Sequence, residues 1–60
     1  MMTYANAVRI CGAIDRRLMD CKPGEVSRQQ LRAYVAGYWG SVPLCAETRI
    51  LKYYEEGLIR

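Results

Sequence analysis

The side chains best equipped for chemistry are two cations near the carboxy-terminal end, Arg49 and Lys52. Three residues apart on a helix, they are surface neighbours. Long cationic side chains so placed can hold phosphate oxygens or reach the acceptors on a guanine edge. Thr48 adds a hydroxyl beside them, while Glu47 is of contrary sign and suits a polyanion only where it accepts from a cytosine amine. Upstream, Arg28, Gln29 and Arg32 form a second group, with Ser41 between the two. Ser41, Arg28 and Gln29 fall near helix starts, where backbone amides favour anions, and can add phosphate contacts. The competing reading is a solvated helix face, with Lys52 and Glu56 as an ordinary i, i+4 pair and Glu47, Glu55 and Glu56 weakening the positive field.

Little else in the chain can react. There is no histidine, so neither a Ser-His nor a Cys-His nucleophile can be assembled. Gly37 and Gly40 lack the length and lysine of a phosphate-cradling loop, and the carboxylates are scattered. An enzyme is not expected, nor a cofactor, nor a small-molecule ligand. Cys11, Cys21 and Cys45 include no C-x-x-C pair, and with no histidine they make no zinc site. They read as small, buried or half-buried hydrophobes; the alternative is an intermolecular disulfide, most readily through Cys21.

With 52% apolar and 25% charged residues, the 60-residue chain has globular composition and is one domain at most. So short a chain buries only about 60% of its unfolded surface, which makes oligomerisation, a homodimer above all, an open expectation. The net charge of +3 is compatible with a polyanionic partner without requiring one. No apolar run approaches the length of a membrane span, and Asn6 and Arg9 interrupt the apolar stretch from Tyr4 to Ile14, which does not read as a signal peptide. A cytoplasmic protein is expected.

Three helices must carry these groups. The first is expected over about Thr3 to Met19, with Thr3 as N-cap and Tyr4, Ala7, Val8, Cys11, Ile14 and Leu18 on one face. Gly12 inside it costs near 1 kcal/mol relative to Ala and allows close approach of another helix, unless it is a tolerated defect. Arg16 and Arg17 suit the helix C-terminus; phosphate binding is their alternative role. The stretch Cys21-Lys22-Pro23-Gly24 breaks the helix, and Glu25-Val26-Ser27 can add a very short strand. Ser27 and Gln30 have the spacing of a capping box and open a second helix, whose stripe is Leu31, Tyr34, Val35 and Tyr38. Gly37-Tyr38-Trp39-Gly40 closes it. Pro43 then opens a third helix over roughly Leu44 to Glu56, with Ala46, Ile50, Tyr53 and Tyr54 inward. Tyr4, Tyr34 and Tyr53 suit packing positions, and Trp39 either caps the small core or anchors a partner.

Helix, Pro-Gly turn, short extended piece, capped helix, glycine turn, helix, then Gly57-Leu58-Ile59: this ordered series resembles the trihelical core of winged helix-turn-helix DNA-binding domains. The resemblance covers nearly the whole chain and rests on pattern. It implies an all-α three-helix bundle in which Ser27 to Tyr38 positions Leu44 to Glu56 in the major groove of double-stranded DNA. Leu58 and Ile59 would start the first wing strand, with the wing missing or truncated at Arg60. The function so implied is transcriptional regulation, with Arg28, Gln29, Arg32, Ser41, Glu47, Thr48, Arg49 and Lys52 as the contact set. The alternative is a protein-interaction module of the same shape, docking through the first helix or the Tyr38-Trp39 corner.

Overall fold

The computed structural model describes residues 3–60. Three helices follow one another: α1 (Tyr4–Met19), α2 (Arg28–Trp39) and α3 (Leu44–Glu55). Their ends obey local rules. The Asn6 amide donates to the Thr3 hydroxyl at 3.2 Å, capping α1. At the start of α2 the Gln30 amide donates to the Ser27 hydroxyl at 3.1 Å, and the Ser27 amide donates back to the Gln30 side chain at 2.8 Å. Gly40 ends α2 with φ 74°, and Gly57 follows α3 with φ 78°, conformations that a side chain at either place would strain.

The core comprises Ile10, Ile14, Val26, Leu31, Val35, Ala46, Ile50 and Ile59. Each fully buried isoleucine or leucine among them contributes about 1.5–3 kcal/mol relative to exposure. Leu18, Cys21, Tyr34, Trp39, Val42 and Tyr53 close over this centre. Trp39 thus takes the core-capping place, half-buried at the end of α2. None of the helices is long and apolar enough to cross a membrane, among the described residues.

Three expectations about facing are corrected. On α1 the buried line is Ile10 and Ile14, both fully buried, whereas Tyr4 is 86% and Val8 53% exposed. Residues 10, 14 and 18 are successive i, i+4 neighbours on the line that meets both other helices, and Tyr4 and Val8 lie off that line. On α2 the buried line of Leu31 and Val35 passes at the last turn to Trp39, leaving Tyr38 on the flank. On α3 the adjacent Tyr53 and Tyr54 point about 100° apart, so only Tyr53 joins the core. At Gly12 an added Cβ would meet nothing within 4 Å, which favours the tolerated defect over the close helix approach.

The two segments flanking the core also differ from expectation. The Gly24 amide donates to the Leu58 carbonyl at 2.8 Å, the Arg60 amide to the Val26 carbonyl at 3.1 Å, and the Arg28 amide to the Arg60 carbonyl. These bonds seat Val26 and Ile59 in the core. Yet neither segment is a strand. Leu58 stays exposed.

Candidate nucleic-acid interface

Six of the eight residues of the expected contact set line two neighbouring clefts along α3. Arg28, Arg32, Glu47 and Thr48 line the cleft between α2 and α3, together with Leu44 and Leu51. Thr48, Arg49 and Lys52 line the one toward α1, with Leu44, Cys11 and Cys45. Leu44 and Thr48 form the ridge shared by both. Gln29 is exposed in the first turn of α2, and Ser41 is exposed in the turn before α3.

Most of these cations already have an intramolecular neighbour. Arg32 Nη2 lies 2.8 Å from Glu47 Oε1, with side-chain exposures of 52% and 40%. That pair is wet enough for another anion to exchange into it at small cost. The Arg28 guanidinium sits 5.0 Å from the centre of the Tyr54 ring, a cation–π contact that covers the tyrosine left out of the core. Arg49 departs furthest from its expected outward place. Its Nε lies 3.9 Å from Asp15 Oδ1 on α1, and its guanidinium lies 6.0 Å from the Tyr53 ring centre. A side-chain hydrogen bond with Cys11, then the Asp15 charge, holds the Arg49 pKa above its ordinary value.

Asp15 therefore organises a small polar cluster between α1 and α3. Besides Arg49 it accepts the Tyr53 hydroxyl. Burial, then that hydrogen bond and the Asp15 charge, push the Tyr53 pKa up to about 12. The cluster fixes α3 against α1 and so determines which residues of α3 turn outward. Those are Leu44, Thr48, Leu51, Lys52 and Glu55, all exposed. The Thr48 hydroxyl donates to the Leu44 carbonyl at 3.0 Å.

Sequence reasoning missed Leu44 and Leu51, exposed to 81% and 47%. Their positions with Thr48 at i, i+4 and i+7 were the available signal. The anion affinity expected of the α2 N-terminus is also reduced. Its Arg28 amide is taken by Arg60, its Gln30 amide by Ser27, and its Leu31 amide by the Ser27 carbonyl. Among the described residues that leaves the Gln29 amide. No group of three or more metal-ligating side chains occurs among the described residues. No family model, curated protein or solved structure matches the chain.

Proposed function

We propose that the chain is a small DNA-binding protein of helix-turn-helix type, a transcriptional regulator whose α3 enters the major groove. The carrying observation is that the outer face of α3, with Leu44, Thr48, Leu51 and Lys52, is uncovered beside the exposed first turn of α2. In this reading Lys52 and the Thr48 hydroxyl supply polar contacts to bases or phosphates, and the two leucines meet thymine methyl groups. Arg28 and Gln29 hold the backbone at the edge of the groove. Arg32 joins them when phosphate displaces Glu47, whereas Arg49 acts as a strut to α1. Two copies on neighbouring half-sites would add affinity and spacing selectivity.

Titration into random-sequence duplex at several salt concentrations tests this. Affinity falls steeply with salt, and Lys52→Ala lowers the log–log slope by about 0.9. Affinity indifferent to salt, or a Lys52→Ala variant indistinguishable from the parent, defeats the proposal.

A second reading is favoured by the same two leucines. Leu44 and Leu51 flanking Thr48 make an apolar ridge that suits a protein partner as well as a row of methyl groups. Substituting Leu44→Ser and Leu51→Ser together separates the two. Binding of a protein partner with no duplex affinity at low salt favours docking.

A further inference from the structure

A second cationic surface of the molecule lies away from α3. Arg9, Arg16 and Arg17 of α1 share one cleft with Tyr34, Tyr38 and Trp39 of α2, and no carboxylate lines it. All three arginines are exposed, and none is in an ion pair among the described residues. Two carboxylates, Asp20 and Glu25, line the adjoining cleft, which Arg17 shares.

The three rings form a chain. The Tyr34 and Tyr38 centroids are 5.4 Å apart with their planes at 60°, and Tyr38 and Trp39 are 5.4 Å apart at 39°. Arg17 lies 5.9 Å from the Tyr34 ring centre, joining the charge to the aromatics. Tyr34 and Trp39 are half-buried and so held in place, while Tyr38 between them is 72% exposed. Arg9 to Arg17 is a span of about 12 Å along the helix, from the rise per residue.

We propose that this α1–α2 face binds single-stranded nucleic acid, with its phosphates on Arg9, Arg16 and Arg17 and its bases stacked on Tyr38 and Trp39. Unneutralised arginines beside accessible rings are the two requirements of such binding, one tracking the backbone and the other the bases. A duplex satisfies only the first, because its bases are already stacked on one another. An acidic peptide likewise uses the charges and leaves the rings without function. The surface is separate from the face of α3 and its role does not rest on that of Lys52.

Trp39 is the only tryptophan in the chain and stands in this cleft, so its fluorescence reports occupancy directly. Titration with a short oligothymidylate is expected to quench it saturably. Tyr38→Ala, at a position too exposed to disturb the fold, should weaken binding of a labelled oligomer about tenfold or more. Arg9→Ala with Arg16→Ala should reduce the salt dependence, and Lys52→Ala should change neither. An abasic oligomer should bind weakly without quenching. Three results would overturn the proposal: no quenching at low salt, polyglutamate binding as tightly as the oligomer, or duplex quenching Trp39 as strongly as the single strand. A chain that fails on duplex yet passes here retains this site and loses the role of α3.

Discussion

The two faces of this small bundle carry similar numbers of cations and use them differently. Along α3, Arg32 is spent on Glu47, Arg28 lies over Tyr54, and Arg49 is drawn to Asp15. What remains outward is Lys52 amid threonine and leucine. Along α1 and α2, Arg9, Arg16 and Arg17 share a cleft with three aromatic rings, and no carboxylate lines that cleft. Net charge therefore says little about where a polyanion binds; what matters is which cations the fold has already neutralised. The first face offers shape and a few directed contacts, as groove recognition needs. The second offers field and stacking, which suit a flexible strand.

The comparison can be broken most severely from beneath. Ile14 is fully buried on the helix that supports both faces. Ile14→Ala removes about 2–5 kcal/mol, comparable with the whole stability of a domain this small. Thermal unfolding by circular dichroism should show the transition lowered or lost, and both binding activities should disappear together. Loss of only one would mean that the faces fold independently of the shared core.

A smaller effect concerns the strut that orients α3 alone. The Tyr53 hydroxyl titrates at about 12 in the folded chain against an ordinary 10.0. Below pH 10 it is protonated in both states, and its contribution to stability is complete. Above that, the unfolded chain ionises first, so stability falls as pH rises through the folded value. Denaturant midpoints should decline over this window, and Tyr53→Phe should flatten the decline while starting lower at neutral pH. An identical slope in the two proteins would detach Tyr53 from the cluster.

Smallest and most selective is Glu47→Gln. It frees Arg32 and removes a carboxylate from the α3 face, so duplex affinity should rise by about two- to fivefold, the range of an exposed ion pair. Oligothymidylate binding, measured by Trp39 quenching, should not move. A gain on both ligands would mean that one surface serves both.

How much of this was readable beforehand depended on distance along the chain. The Thr3 cap, the Ser27–Gln30 box and the glycine ends of α2 and α3 involve neighbours within one turn, and they stand where the residue types placed them. The phase of each buried face was less legible. The α1 stripe passed over Ile10 for Val8 and Tyr4 because several apolar residues encircle that helix, and only its partners select among them. Lys52, Thr48 and Arg28 were legible as exposed from the period of their helices. The turning of Arg49 toward α1 was not, since Asp15 is remote in sequence and reaches it only through the crossing of α1 and α3. Arg16 and Arg17 read first as charges suited to the end of α1, with phosphate binding as the alternative, and the rings beside them were not foreseen. Tyr34, Tyr38 and Trp39 belong to another helix, and their convergence with the arginines is a tertiary fact.

Mapping amide chemical shifts during addition of a duplex at low salt addresses the role of α3 most directly. Perturbations should concentrate at Arg28, Gln29, Leu44, Thr48 and Lys52, and should fade as salt is raised. Shifts confined to Arg9, Arg16 and the Tyr34–Trp39 end of α2, or none at any salt, would contradict it.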